Sequence, residues 1–282
     1  TDPAARRKLA EDLFASLLPP IREAIGPESY WLGCWGIALP SIGHVNGGRT
    51  AGDVKIAYEG WLVSMIAKQE WAFLHNIAWY NDPDTVLVRQ PLSDGLARSW
   101  ATAQGLCGQA LLASDRMMDL PHSRVELLKR IFPATDVRPL DLFQPGAART
   151  PIRNLTVNHP SVSGAAPLRT SDIVGVFNFE PATSQSRLVS WKALGLDPAQ
   201  PHHVFDFWGG TYLGAWEHGL FVEVPPADAR LLAIVPMEPR PVLMSTNRHV
   251  TQGWVDLLSL RTTGSGTSWT VEGESRLVGG EE

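Results

Sequence analysis

The pattern of apolar and polar positions changes period once along this chain, near residue 145. In the first half, apolar residues at helical spacing alternate with short extended runs. Leu9, Leu13, Phe14, Leu17, Ile21 and Ile25 share one face of a helix that Asp2 and Pro3 open and Gly26 closes, and Pro19-Pro20 is expected to break or kink it. Ser29 to Trp35 is an apolar run of strand type, and Gly43 to Arg49 is a second extended piece. The spacing of Ile56, Leu62, Val63, Ile66, Phe73 and Leu74 predicts a helix between Val54 and His75, and Thr85 to Val88 reads as a buried strand. A helix capped by Ser93 follows from Leu92 to Gly108, then a strand from Gln109 to Asp115 and a helix from Ser123 to Phe132. Strand and helix alternate, which predicts an α/β region with parallel strands.

Beyond about Pro145 the helical period stops. Short β-type runs take over, separated by Gly, Pro, Asn and Asp: Ile173 to Phe179, Leu188 to Trp191, Val204 to Trp208, Leu220 to Val224, Leu231 to Val235 and Trp254 to Leu260. Their close spacing predicts an antiparallel β-sandwich. The polar, Pro- and Gly-rich stretch from Pro145 to Pro167 connects the halves, so the expected division is 1–145 and 146–282. Asn154-Leu155-Thr156 in this region matches a glycosylation sequon.

Composition narrows the classes of function. The chain has 282 residues, 44% hydrophobic and 19% charged, with a formal net charge of -5; it is long enough to bury large cores. A mildly acidic balance without Lys/Arg clusters argues against nucleic acid as the main partner, and a neutral ligand fits better. Eleven Trp are many for this length; sugar faces often stack on indole rings, although core packing accounts for most Trp side chains. Cys34 and Cys107 are not in a paired spacing, so no disulfide framework is expected. There is no metal-type Cys/His cluster, no phosphate-cradling glycine loop and no Gly-x-Ser-x-Gly elbow, and no apolar run approaches a membrane span. No cofactor or metal is expected.

The candidate chemistry lies in Gly43-His44-Val45-Asn46-Gly47-Gly48-Arg49-Thr50-Ala51-Gly52-Asp53-Val54 and in Trp79-Tyr80-Asn81-Asp82-Pro83-Asp84. An arginine four residues ahead of an aspartate, at the end of an extended piece, gives one carboxyl group a fixed cationic neighbour, as glycosidic bond cleavage uses. Plainer readings exist for each residue. Asp53 before a helical run is also a good helix N-cap, Arg49 a salt-bridge partner, and Asp82 and Asp84 flank a proline in what is also a turn signal. Trp208, Trp216, His202, His203 and His218 fall in the β half and read as structural.

Four segments, in order and spacing, resemble the melibiase-type α-galactosidases, whose parallel α/β barrel is followed by an antiparallel β domain. Tyr30-Trp31-Leu32-Gly33-Cys34-Trp35-Gly36 looks like the fifth barrel strand, Arg49 to Asp53 like the end of the sixth, Asn81 to Val88 like the seventh, and Leu111 to Asp115 like the eighth. The resemblance implies a (β/α)8 TIM-barrel portion, about strands 5 to 8, followed by the β-sandwich. It implies Asp53 as general acid/base of a retaining exo-hydrolase of terminal α-galactosides, with Arg49 and Asp84 holding sugar hydroxyls and Cys34, Trp35 and Gly36 lining the ring pocket. The nucleophilic aspartate of that family follows a lysine on the fourth strand, for which residues 1–26 offer no counterpart, so an N-terminal half-barrel is expected elsewhere. Asn46-Gly47-Gly48 ahead of Arg49 departs from the pattern and is expected to leave the pocket wall open. The implied partners are a small oligosaccharide or galactoside and either the missing half-barrel or a homo-oligomer. The alternatives are a galactosyl-transferring relative, or a non-catalytic carbohydrate-binding or assembly subunit.

Overall fold

The computed structural model describes residues 2–34, 39–137, 152–158 and 170–277. Its first part contains α1 (Pro3–Ile25), β1 (Leu32–Gly33), β2 (Gly47–Arg49), α2 (Tyr58–Glu70), β3 (Tyr80–Asp82), α3 (Asp94–Leu106) and α4 (His122–Lys129). The strands are parallel in the order β1-β2-β3, and a parallel bridge between Val86 and Ala113 extends the same pattern. The expected parallel α/β character is present. Its strands are much shorter than the apolar runs suggested. Val86 to Val88 is buried, but the run contributes only that one bridge among the described residues; the regular strand is the polar Tyr80–Asp82 just before it. Burial of an apolar run and ladder pairing are separate properties, and only the first is legible from composition.

Helix capping follows local chemistry. Asp2 caps α1 by accepting from the Ala4 N–H at 3.0 Å, and Ser93 caps α3 by accepting from Leu96 at 3.2 Å. At Gly26, φ is 81°, a left-handed conformation that closes α1 with its N–H on the Arg22 carbonyl. The expected break at Pro19-Pro20 does not occur: α1 runs through both prolines to Ile25. The carbonyls that lose a partner lie on a solvent-facing helix, where water replaces the missing N–H. Only Leu18 of α1 is buried, and the apolar stripe through Leu9, Leu13 and Leu17 faces outward. Arg22 tethers the helix instead, donating to the His44 carbonyl at 2.8 and 2.6 Å and to Asn46 Oδ1 at 2.7 Å.

The second part is β4 (Ile152–Asn158), β5 (Thr170–Phe177), β6 (Gln185–Ser190), β7 (His202–Asp206), β8 (Thr211–Trp216), β9 (Gly219–Val224), β10 (Ala229–Pro236), β11 (Leu257–Ser265) and β12 (Ser268–Ser275). An antiparallel five-stranded sheet, β4-β5-β10-β7-β8, is joined by the pairs β6-β9 and β11-β12. All six expected strands are present; β4, β8 and β12 were missed. The sequence of β12 is rich in Ser and Glu because the strand lies exposed, and that of β8 mixes aromatic residues with Thr, Gly and Ala at the sheet edge. Among the described residues β12 pairs only with β11, across a two-residue Gly266-Thr267 loop.

The five-stranded sheet is covered on both faces. Ile173, Phe177, Leu231 and Ala233 pack with Trp61 and Met65 of α2 and Trp100 of α3, whereas Val174, Val176, Leu232 and Ile234 pack with Val189, Trp191 and Val222 of the β6-β9 side. Alternate residues of β5 and β10 thus enter different cores, which explains why these strands read as continuous apolar runs. One core is continuous across the expected boundary. Arg98 of α3 reinforces it, donating through Nε at 2.9 Å and through Nη2 to the buried carboxylate of Asp228.

His249 closes the same junction and was not singled out by its sequence. Its Nε2 faces the carbonyls of Ile131 at 3.0 Å and Pro133 at 3.1 Å, and Nδ1 meets the Thr251 N–H at 3.2 Å, a set that suits the neutral ring. Burial, which outweighs the two carbonyls, pushes its pKa down to about 4. The unfolded chain, with an imidazole near 6.5, therefore binds the proton first as pH falls. This stabilisation is complete above 6.5, is lost between 6.5 and about 4, and amounts to about 3 kcal/mol. Urea unfolding at stepped pH should show that loss in the wild type and a flatter profile in His249→Gln; parallel profiles refute it.

Candidate active site

The parallel register assembles the site. Leu32 pairs with Gly47 and Gly47 with Tyr80, while Arg49 pairs with Asp82, so Arg49 and Asp82 leave the ends of β2 and β3 on the same face. Asn81 points to the opposite face, where it is fully buried and donates to the Trp71 carbonyl at 2.7 Å. Arg49 is a hub for three carboxylates: Nε to Asp82 Oδ2 at 3.1 Å, Nη1 to Asp53 Oδ1 at 3.2 Å, and Nη1 to Asp84 Oδ2 at 3.4 Å.

These three acids occupy different environments. Side chains of Asp82 and Asp84 are 4% and 10% exposed, whereas that of Asp53 is 89% exposed. Asp82 also accepts the Asp84 N–H through Oδ1 at 2.9 Å, and Asp84 accepts the Val54 N–H through Oδ2 at 2.7 Å. Asp84 has φ 66°, a left-handed conformation that Asp tolerates better than most residues and that this pair of bonds holds. Burial alone would weaken the Arg49 charge, but the hydrogen bond to Asp82 and the fields of Asp82, Asp84 and Cys34 raise its pKa overall. Arg49 is a permanent cation held from behind by two buried carboxylates. Asp53 contacts it from the open side.

Asp53 is not a helix cap: α2 begins at Tyr58 with Ala57 in the N-cap position. The turn reading holds for Asp82, which spans Pro83 to bind the Asp84 amide. Asp84, expected at the sugar, has one oxygen committed to Val54 and Arg49. Cys34 is exposed directly after β1 as a free thiol. Trp35 and Gly36, expected to line the pocket, lie outside the described residues.

The wall at Asn46-Gly47-Gly48 differs from the expected open one. The Tyr30 ring occupies the space that a Cβ on Gly47 would need, and Asn46 Oδ1 accepts the Trp31 N–H at 2.9 Å. Glycine lets the Tyr30 phenol lie close against the strand backbone, and a Cβ there would displace it. Burial, then the field of Asp82, raises the Tyr30 pKa, which keeps the phenol neutral on the face shared by Arg49 and Asp82. Asp115, at the end of the segment that resembles the eighth strand, accepts from the Val88 N–H at 2.6 Å and from Arg89 Nη1 at 2.6 Å. It pins the loop behind the site.

Sequence inspection ranked Asp84 above Asp82 and did not mark Tyr30. The signal was the pairing register of β2 with β3, a property of two segments about thirty residues apart.

Comparison with known proteins agrees with this architecture. Residues 164–234 match the alpha galactosidase C-terminal beta sandwich domain. The chain superposes on a GH27 β-L-arabinopyranosidase from Geobacillus stearothermophilus, in complex with arabinose, at a TM-score of 0.54 and 16% identity, covering 69% of this chain and 46% of that one. For α-galactosidase I from Mortierella vinacea the TM-score is 0.56 at 14% identity, with coverages of 80% and 63%. The isomalto-dextranase of Arthrobacter globiformis T6, complexed with panose, gives 0.56 at 15%, with 80% and 41%. The chain spans about half the length of these proteins. At such identities the likeness is one of fold. The chain carries an α-galactosidase C-terminal β-sandwich domain behind a parallel α/β segment, in the fold it shares with part of the GH27 glycosidases.

Proposed function

We propose that residues 1–145 are the C-terminal part of a (β/α)8 catalytic barrel, with 146–282 as its β-sandwich. In this reading they hold the acid/base half of a retaining glycoside hydrolase site that releases terminal α-linked galactose. The observation that carries this is the exposed Asp53 carboxylate beside an Arg49 that two buried carboxylates anchor. Asp53 protonates the leaving oxygen and then takes a proton from the water that opens the glycosyl ester. Arg49 orients Asp53 and donates to a sugar hydroxyl. The second carboxylate, the nucleophile, comes from outside this sequence.

Two further observations support the half-barrel. β1 stands at the edge of the parallel sheet, and the apolar stripe of α1 faces outward, as both do when further β/α units are to cover them. The intact denatured mass of the natural protein is then expected to be well above 30.9 kDa. A mass of 30.9 kDa with no second polypeptide removes the nucleophile and with it the hydrolase reading. Substrate class is tested directly by comparing α-galactosides with β-L-arabinopyranosides and isomaltose on that protein. Preference for either of the latter rejects galactose as the natural sugar.

A further inference from the structure

A second concave surface shares no residue with the Arg49 site. It lies where the end of α4 and residues 245–248 face β7 and its continuation. One cavity of about 530 Å³ is lined by Arg130, Phe205, Phe207, Trp208 and Asn247, among others. An adjoining cavity of about 230 Å³ shares Arg130 and Asn247 and adds Lys129, Arg248, His122 and Glu126. Tyr212 of β8 lies opposite Phe205 in register, so the aromatic wall continues to the sheet edge, where Tyr212 is exposed and bonded through its hydroxyl to His203 at 2.8 Å.

The charges of this groove are unequal. Glu126 is shared by Lys129 at 3.0 Å and His122 at 3.8 Å. Arg248 donates to the carbonyls of Lys129 and Phe132 at 2.8 and 3.4 Å, and the Val250 N–H meets the Arg130 carbonyl at 2.8 Å, so the negative end of α4 is already satisfied. Arg130 lies 5.7 Å from the centroid of the Phe207 ring, and no carboxylate among the described residues pairs with its guanidinium. Arg130 is half-buried with one side toward an aromatic ring, and among the described residues its guanidinium meets no anion.

We infer that this groove is a second saccharide site, for a pyranose that carries a carboxylate, that is, a hexuronate unit. The apolar C–H face of the ring would lie on Phe205 and Trp208, and the carboxylate on the planar fork of Arg130, which takes two oxygens at once. One guanidinium that meets no anion among the described residues matches one negative charge. Asn247, exposed between the two cavities, faces the ring hydroxyls. The inference is independent of the role given to Asp53.

Calorimetric titration of the folded protein with trigalacturonate, and with its fully methyl-esterified form, tests it. The expected result is saturable binding of the acid, at least tenfold weaker binding of the ester, and at least a tenfold loss for Arg130→Gln with the acid. Sodium sulfate at equal ionic strength should compete only weakly. Equal binding of acid and ester, competition by sulfate as strong as by trigalacturonate, or no binding at millimolar concentration overturns the inference on the wild type alone.

Discussion

Asp53→Asn is expected to reduce hydrolysis of an alkyl α-galactoside by about 10²–10⁴-fold, the range typical of a positioned general acid/base. The loss should be smaller for a dinitrophenyl galactoside, whose leaving group departs without protonation. This contrast separates a proton-transfer role from a merely electrostatic one, since removal of a charge partner for Arg49 lowers both substrates alike. Asp53 is almost fully solvated and, among the described residues, its side chain bonds only to Arg49, so the melting temperature should hardly move. The assay requires the complete natural protein, because the nucleophile lies elsewhere in the proposed mechanism. Equal losses on the two substrates, or an active variant, refute the assignment.

Arg49→Ala is expected to act first on stability. It leaves Asp82 and Asp84 buried without their cation, and breaking a buried pair costs about 3–5 kcal/mol. For a chain of this size the melting temperature should fall by roughly 10 °C. Arg49→Lys should recover only part of this, because an ammonium cannot serve the Nε–Asp82 and Nη1–Asp84 contacts together. A melting temperature unchanged in Arg49→Ala shows that the hub contributes nothing to the fold and that its ordering effect on Asp53 is equally weak. The pair of variants thus divides the site: Asp53 carries no structural role, and Arg49 carries one.

Much of this was legible from residue order. The helix of α3 and its Ser93 cap, the alternation of the first half and the six principal strands of the second follow from periodicity and capping chemistry, both local. Arg49 and Asp53, four residues apart, are brought together by the chain itself. Less was legible wherever solvent exposure set the outcome. The prolines of α1 were expected to interrupt it, yet an exposed helix carries their unsatisfied carbonyls into water. Periodicity placed the apolar stripe of the same helix on one face, but only the tertiary structure shows that this face lies outward.

Sequence by itself determined that a parallel α/β half precedes an antiparallel β half, and which short segment holds an arginine beside an aspartate. Those properties depend on contacts within a few residues. Tertiary structure alone decided that Asp82 is the principal partner of Arg49, that Tyr30 fills the wall over Gly47, and that His249 and Arg98 seal the two halves on one core. Each of these joins residues brought together by strand register or sheet packing, and register is set by how whole faces bury, which no local stretch of sequence encodes.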